Sequence, residues 1–203
     1  EFDNPEGVPI SAIVFGGRRA KTAPLVYQSF NWQHGVFIGS IMASETTAAA
    51  TGRVGVVRRD PMAMRPFCGY NMADYWQHWL DMGEKLPNAP KIFNVNWFRT
   101  DDNGRFLWPG FGDNLRVLEW ILKRCFDEVG ADETVIGYEP KPEDIDLDGS
   151  GVTIETLKEL LTLDAKSWRE NCAGIREYFE QFGDKLPHEL REELEALEKA
   201  FAE

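Results

Sequence analysis

Short apolar runs, some with alternating apolar and polar positions, predict β-strands in the first half of the chain. The clearest is KIFNVNWFR at residues 91–99, where successive side chains alternate between two faces. The DDNG sequence at residues 101–104 is typical of a hairpin turn, and it predicts that residues 106–108 return as a strand. The other predicted strands are residues 8–15, 24–30 and 54–57.

Apolar residues at every third or fourth position predict helices, most of them after residue 70. The helix predicted at residues 113–128 takes its buried face from residues at this spacing, namely Leu115, Leu118, Ile121, Leu122 and Cys125. The other predicted helices are residues 32–42, 71–82, 153–163, 164–181 and 187–202. Residues 130–151 are rich in Pro, Asp and Gly, and they are predicted to be an irregular connection.

The composition favours a folded domain that binds a small anion over one that binds nucleic acid. Of the 203 residues, 43% are hydrophobic, and seven Trp and 13 Phe can fill a core or line an apolar pocket. Residues 1–110 hold 11 Lys and Arg against 10 Asp and Glu, whereas residues 111–203 hold 11 against 24. The acidic second half argues against a nucleic-acid partner, and the Arg residues of the first half suit an anionic small molecule.

The three scattered Cys residues form no CxxC pair, which predicts a reducing compartment without a disulfide framework or a structural zinc site. We find no run of about 18 apolar residues and no signal peptide, so no membrane span is expected. The chain starts without Met and enters a strand within ten residues. We therefore expect a fragment, or one segment of a longer polypeptide.

Residues 94–114 (NVNWFRTDDNGRFLWPGFGDN) place several aromatic residues around one hairpin and a glycine-rich turn that leads into a helix. Flat aromatic rings can sandwich a purine, and the free N–H groups of a helix N-terminus lie beside them. The amide of Asn114 could hydrogen-bond a base edge. The alternative is a hairpin that packs on the core, with Asp113 as the N-cap of the helix.

Two further segments have a structural and a functional interpretation. Arg18 and Arg19 follow two glycines after a strand, where their guanidinium groups could grip phosphate oxygens or lie in a solvated turn. No GxxxxGK[ST] P-loop occurs in the chain. Residues 44–55 are small and polar, and they could form a mobile lid or an ordinary surface loop.

Residues 144–155 (DIDLDGSGVTIE) fit the EF-hand pattern of a Ca²⁺-binding loop. The matching positions are Asp144, Asp146, Asp148, Gly149 and Glu155. The context is poor, because prolines precede the loop where a helix should be and no second EF loop follows. We favour a turn whose polar residues cap the helix that starts near Thr153. The three His residues are far apart, and we expect no metal ligand in this chain.

Four segments together resemble one family, the GTP-dependent phosphoenolpyruvate carboxykinases. They are PISAIVFGGRR at 9–19, WQHGVFIGS at 32–40, DPMAMRPFCGYN at 60–71 and VNWFRTDDNGRFLWPGFGDN at 95–114. Their order and approximate spacing agree with the family, and the resemblance runs from about residue 5 to 203. It covers only about the last third of a family member. It implies the C-terminal mononucleotide-binding α/β domain, a mixed sheet with helices, truncated at its N-terminal side.

The resemblance implies an activity and the residues that serve it. The family interconverts oxaloacetate plus GTP with phosphoenolpyruvate, GDP and CO₂, in gluconeogenesis or anaplerosis, with Mn²⁺ at the active site and Mg²⁺ on the nucleotide. The implied GTP-binding residues are Arg18 at the phosphates, Trp97, Phe98, Phe106 and Phe111 around guanine, and Gly112, Asp113 and Asn114 in the base-contacting turn. The implied lid residues are Ser44, Glu45, Thr46, Thr47, Ala48, Ala49, Ala50, Thr51, Gly52 and Arg53.

The resemblance also implies what the chain lacks. The family's P-loop, Mn²⁺ ligands and oxaloacetate-binding Arg residues lie upstream of residue 1, so the chain alone is expected to be inactive. Residues 1–130 would complete the nucleotide-binding domain, and residues 131–203 would form a helical tail packed on it. The expected partners are GTP or GDP, oxaloacetate or phosphoenolpyruvate, and the rest of the same enzyme, in a cytoplasmic monomer. The competing hypotheses are a guanine-nucleotide-binding domain without catalysis and a Ca²⁺-binding module.

Overall fold

The computed structural model of the protein describes residues 2–47 and 53–202. Its strands in chain order are β1 (Ala12–Gly16), β2 (Val26–Gln28), β3 (Ala43–Glu45), β4 (Val57–Arg59), β5 (Lys91–Val95), β6 (Asp132–Thr134) and β7 (Gly137–Glu139). Five of them form one sheet in the order β1-β5-β2-β7-β6. Strands β1 and β5 are parallel and the remaining pairs are antiparallel, so the sheet is mixed. Strands β3 and β4 form a separate antiparallel ribbon.

The helices are α1 (Trp32–Ser40), α2 (Met72–Lys85), α3 (Asn114–Cys125), α4 (Ile154–Leu161), α5 (Ala165–Glu180) and α6 (His188–Ala202). Four of them begin at a side chain that accepts a hydrogen bond from a first-turn N–H group. These capping residues are Asn31 for α1, Asn71 for α2, Thr153 for α4 and Asp164 for α5. Short 3₁₀ turns cover Pro61–Ala63, Pro142–Asp144 and Gly183–Lys185.

Both faces of the central sheet are covered by helices, as the alternation along β5 requires. Ile92 belongs to the apolar cluster formed with helices α1, α2, α5 and α6. Its neighbour Phe93 belongs to the cluster formed with α3 and α4 on the other face. Helix α1 lies so close to the sheet that a Cβ atom on Gly35 would stand 2.4 Å from Ile92 Cδ1. A side chain at this position would push the helix off the sheet.

The α/β fold class with a mixed sheet and helices is confirmed, and the six predicted helices lie within a few residues of those observed. The predicted strands at 8–15, 24–30 and 91–99 are present but shorter, and the strand predicted at 54–57 begins only at Val57. The division of the chain at residue 130 stays a prediction.

Two predictions about the strands were wrong. Residues 106–108 are not a strand, because the hairpin arms pair only at a single bridge between Thr100 and Phe106. The turn itself is present, closed by the Asp101 carboxylate, which accepts from the N–H groups of Asn103 and Arg105. The stretch at 130–151 is not irregular throughout, because β6 and β7 add two strands to the edge of the sheet.

The buried face of α3 agrees with the prediction only in part. Val117, Trp120 and Ile121 are the residues it buries. Leu115 and Leu122 are 68% and 54% exposed. Of the predicted face, Ile121 is buried and Leu118 and Cys125 pack against the same cluster, so the prediction missed Val117 and Trp120 and was wrong only for Leu115 and Leu122.

Candidate functional site

Asn96, directly after β5, joins the loop that follows it to the turn that follows β1. Its side chain is almost fully buried and makes four hydrogen bonds. The amide nitrogen donates to the carbonyl oxygens of Arg19 and Ala23, both at 2.8 Å. The amide oxygen accepts from the N–H groups of Arg19 and Phe98, both at 3.2 Å. One polar residue therefore fixes where Phe98 and the arginine turn lie relative to each other.

The turn at Gly16 and Gly17 brings β3 against the same place. A Cβ atom on Gly17 would lie 2.2 Å from the carbonyl oxygen of Ala43, so only glycine allows this approach. The backbone N–H and carbonyl groups of Arg18 then each form a hydrogen bond with β3. Its N–H donates to Ser44 Oγ at 3.2 Å, and its carbonyl oxygen accepts from Glu45 N at 2.8 Å. The base of the predicted lid is thereby attached to the arginine turn.

Arg18 and two phenyl rings form the centre of the candidate site. The Arg18 guanidinium lies 4.8 Å from the centroid of the Phe98 ring, a cation–π arrangement. Phe98 meets Phe106 edge to face, with centroids 6.0 Å apart. A cavity of about 230 Å³ opens beside them. It is lined by Gly16, Gly17, Arg18, Ser44, Val95, Trp97 and Phe98.

The turn that enters α3 holds the remaining predicted residues. Phe111 is 98% exposed, and in the part of the chain that the structure describes it pairs with no other ring. Gly112 has open space around it. Asn114 is the first residue of α3, and its Oδ1 accepts from the buried indole N–H of Trp108 at 2.9 Å. The structure thus brings Arg18, Trp97, Phe98 and Phe106 together, and it places Phe111 on the surface.

The alternative to a purine site was a hairpin packed on the core, with Asp113 as the N-cap of the helix. Asp113 does not cap α3 in this way. It occupies the N-cap position, but its side chain makes no capping hydrogen bond. Instead its carboxylate accepts from Arg116 Nε at 2.9 Å. The free N–H groups at the start of α3 are therefore not occupied by this carboxylate.

The stem of the predicted lid is an ordered ribbon. Ser44 and Glu45 belong to β3, and Thr46 continues the pairing, since its N–H donates to Val56 O at 3.0 Å and its carbonyl accepts from Gly55 N. Thr47 and Arg53 flank the tip. The lid residues Ala48, Ala49, Ala50, Thr51 and Gly52 lie outside the described residues.

Behind the lid stem lies a cluster that sequence reasoning did not find. Arg19 Nη1 and Arg59 Nη2 both donate to Asn171 Oδ1 on α5 at 3.1 Å. Glu45 lies 3.5 Å from Arg19 Nε. Burial, and then the charge of Arg19, lowers the pKa of Arg59 to about 10. Arg19, Arg59 and Asn171 are far apart in the sequence, and no sequence pattern indicates that they meet. Asn96 is different, because an Asn within the predicted apolar strand at 91–99 indicates a buried polar residue.

The loop that fits the EF-hand pattern is occupied by an arginine. Arg116 donates to the carbonyl oxygens of Asp146 and Asp148 at 2.8 and 2.7 Å. Thr153 caps α4 through its hydroxyl, so the interpretation of this loop as a turn and cap is confirmed. Over residues 2–47 and 53–202, no group of three or more His, Cys, Asp and Glu side chains could hold a metal ion.

Within the same described ranges, no helix has both the length and the apolar character needed to cross a membrane.

The fold and the site define an α/β domain with a mixed sheet and an arginine beside aromatic rings, and comparison with known proteins identifies its family. The model of the phosphoenolpyruvate carboxykinase C-terminal P-loop domain matches residues 1–200. The chain belongs to this family, as its sequence motifs predicted.

Curated relatives carry the name phosphoenolpyruvate carboxykinase [GTP]. One from Anaeromyxobacter sp. (strain K) is 54% identical over 195 residues, which are 96% of this chain and 33% of the relative. One from Thermoplasma volcanium is 52% identical over 198 residues, 98% of this chain and 33% of the relative. One from Chlamydia muridarum is 50% identical over 199 residues, with the same coverage. The chain therefore spans about a third of the length of these relatives.

Proposed function

We propose that the chain supplies the guanine pocket and the lid of a GTP-dependent phosphoenolpyruvate carboxykinase. The complete enzyme would interconvert oxaloacetate plus GTP with phosphoenolpyruvate, GDP and CO₂. The observation that carries the proposal is the placement of Arg18 over Phe98 beside a cavity of about 230 Å³, within a chain of this family. A cation next to flat rings suits a ligand that is aromatic at one end and anionic at the other.

The base would lie against the aromatic residues of the loop at 97–114. Phe98, Phe106 and Phe111 would enclose the guanine ring, with Trp97 beside them. Phe106 and Phe111 are among the exposed large apolar residues, so a bound base would remove apolar surface from water. The backbone from Phe111 through Gly112 and Asp113 to Asn114 would contact the base edge, where the first N–H groups of α3 add donors.

Arg18 would bind the phosphates. Its guanidinium makes one described hydrogen bond, a long one of 3.5 Å to the carbonyl oxygen of Glu45. Among the described residues no carboxylate lies within 4.0 Å of it, unlike Arg19, which pairs with Glu45. Its remaining N–H donors are therefore available to phosphate oxygens, which they can contact in pairs.

The lid would exclude water from the reacting centre, and this task falls to residues 44–55. A closed lid would shield the enolate of pyruvate from protonation until it is phosphorylated. The stem holds both ends of the segment together, because Glu45 pairs with Val57 and Thr46 bonds with Val56 and Gly55.

The described residues do not form a metal site. We therefore assign the Mn²⁺ of the active site to residues outside this chain, and the Mg²⁺ to the nucleotide. Such ions would neutralise charge on the transferring phosphoryl group. We further propose that the enzyme is a cytoplasmic monomer without a nucleic-acid partner.

A chimera tests the proposed function. Residues 1–203 of this chain would replace the matching third of the Anaeromyxobacter sp. (strain K) relative. We expect the chimera to form phosphoenolpyruvate from oxaloacetate with GTP and at least tenfold less efficiently with ATP, since one lost polar contact is worth about tenfold. A folded chimera that binds GTP without turnover would support a non-catalytic nucleotide-binding role instead. One that uses ATP as well as GTP would contradict the assignment of the pocket.

A further inference from the structure

We propose that Trp108 is a positioning residue that fixes the direction of the Asn114 amide and thereby selects 6-oxopurine over 6-aminopurine nucleotides. This inference rests on the proposed function, because it concerns which base the same pocket accepts. Neither the sequence motifs nor the family membership assigns Trp108 a role.

The Trp108 side chain is held rigidly by the core. It is 1% exposed and belongs to the apolar cluster that includes Phe93 of β5 and Trp120 of α3. Its indole Nε1 lies 2.9 Å from Asn114 Oδ1. Because the ring is enclosed by packed neighbours, its N–H points in one direction only.

The chemistry of the indole decides which atom of the amide faces it. An indole N–H only donates, whereas an amide has an oxygen that accepts and a nitrogen that donates. If the Asn114 amide were turned over, two donors would face each other and the buried indole N–H would lose its partner. The amide oxygen is therefore held toward Trp108, and the Asn114 NH₂ group is directed away from it.

A donor at this position distinguishes the two purines. The six-position of guanine carries a carbonyl oxygen, which accepts a hydrogen bond, and that of adenine carries an amino group, which donates. An Asn114 NH₂ group facing the six-position bonds the first and opposes the second. Asn114 is the first residue of α3 and follows the exposed Phe111 by three residues. In the proposed binding mode, its amide would lie at the edge of a base stacked on that loop.

The structure offers a matched control in Trp120. It lies in the same apolar cluster and is fully buried, but its indole nitrogen has no hydrogen-bond partner among the described residues. Trp108→Phe and Trp120→Phe therefore remove similar volume from one core, and only the first removes a bond to Asn114. A purely structural role for Trp108 would make the two variants alike.

The test measures kcat/KM with GTP, ITP and ATP in the chimera and its two Phe variants. We expect Trp108→Phe to lower the GTP-to-ATP ratio of kcat/KM about tenfold, the effect of one hydrogen bond, mainly through the KM for GTP. GTP and ITP should change together because both carry the six-position oxygen. Trp120→Phe should leave the ratio unchanged. An unchanged ratio in Trp108→Phe, or an equal change in both variants, would overturn the inference.

Asn114→Asp provides a second variant that leaves the core intact. The carboxylate can still accept from Trp108, but it presents an acceptor instead of a donor to the base. We expect the preference to move toward ATP, and a retained preference for GTP would contradict the role of the amide. If the unsubstituted chimera does not use GTP, the proposed function fails. If it does and these variants keep its selectivity, only the present inference fails.

Discussion

Asn96 shows how a single buried side chain sets the geometry of the candidate site. It links the arginine turn to the loop that carries Phe98, through four hydrogen bonds that leave none of its amide groups unpaired. Trp108 likewise holds the Asn114 side chain, through the hydrogen bond from its indole N–H. Such buried polar residues are expected to be satisfied, and the partners they choose determine which segments meet.

Phe98 is the residue whose removal should weaken nucleotide binding most directly. In the chimera, Phe98→Ala removes the ring that lies under the Arg18 guanidinium and packs against Phe106. Stacking of a base on an aromatic ring contributes about 1–3 kcal/mol, so the Kd for GDP should rise by about tenfold or more. Isothermal titration calorimetry measures this change. Phe126→Ala, at an exposed ring beyond the end of α3, is the control and should bind GDP normally.

Glu139 makes the stability of the chain depend on pH. Burial raises the pKa of its carboxyl to about 8, because the charged form loses its hydration and Oε1 finds no hydrogen-bond partner in residues 2–47 and 53–202. The folded state therefore binds a proton that the unfolded state releases at lower pH. Stability is full below the ordinary pKa of Glu and is lost as the pH rises toward 8 and above.

Glu139→Gln keeps a neutral side chain at every pH. We expect the variant to unfold at higher urea concentration than the parent chain at pH 8.5, and to lose that advantage at pH 5. Glu133→Gln, on an exposed position of the neighbouring strand β6, is the control and should show no such pH dependence. A difference between Glu139→Gln and the parent chain that is the same at both pH values would show that the pKa of Glu139 is not raised in the folded state.

At the scale of elements, α3 shows that the existence of a helix is easier to predict than its orientation. Its apolar residues occupy more than one stripe, and the stripe with Leu115 and Leu122 is the exposed one. The buried stripe contains Trp120, whose large ring fills the space beside Phe93. Tertiary packing determines which stripe is buried, and the spacing of apolar residues does not reveal it.

Neighbouring residues of α3 test the observed orientation. Ile121 is 2% exposed, so Ile121→Ala should lower the free energy of unfolding by about 2–5 kcal/mol through the cavity it leaves. Leu122→Ala removes a half-exposed side chain and should change it by about 0.5 kcal/mol or less. Urea denaturation of the chain measures both. A larger loss for Leu122→Ala than for Ile121→Ala would mean that α3 buries the stripe with Leu115 and Leu122 instead of the observed one.

For the strands, unlike the helices, existence itself was hard to predict from the sequence. Strands β6 and β7 have three residues each, and Gly137 at the start of β7 lies so close to β2 that its Cβ would stand 2.3 Å from Gln28 O. They form because β7 pairs with the edge of β2, which is distant in the sequence. A local sequence pattern does not reveal such a long-range contact. The return strand predicted at 106–108 is absent for the reverse reason. Its turn is present, but among the described residues the arms pair only at the bridge between Thr100 and Phe106 and join no sheet.

At the scale of the whole molecule, the physical pattern and the family resemblance contributed different parts of the site. Aromatic residues near a helix start indicated a possible purine pocket. The resemblance gave Arg18, Phe98, Phe106, Phe111 and Asn114 separate roles, which stay proposals. The packing that holds them, through Asn96 and Trp108, became visible only in three dimensions, because it joins residues that periodicity treats as unrelated.

The chain alone should bind nucleotide weakly and should not turn over. It spans about a third of the length of its relatives, and its described residues form no metal site. Phosphoryl transfer depends on metals and cations that position the phosphates, so we expect no phosphoenolpyruvate from oxaloacetate and GTP with the isolated chain. A coupled assay of the chain beside the chimera measures this. Turnover by the chain itself would show that it contains the catalytic groups.

The central claim is that the loop at 97–114 contacts the guanine base. Photo-crosslinking of 8-azido-GTP to the chimera, followed by trypsin digestion and mass spectrometry, tests it most directly. Trypsin releases residues 92–99 and 106–116 as separate peptides, which contain Phe98 and Phe111 respectively. We predict that one or both carry the nucleotide and that excess GTP, but not ATP, prevents the reaction. A GTP-protected adduct found only outside residues 92–116 would contradict the account.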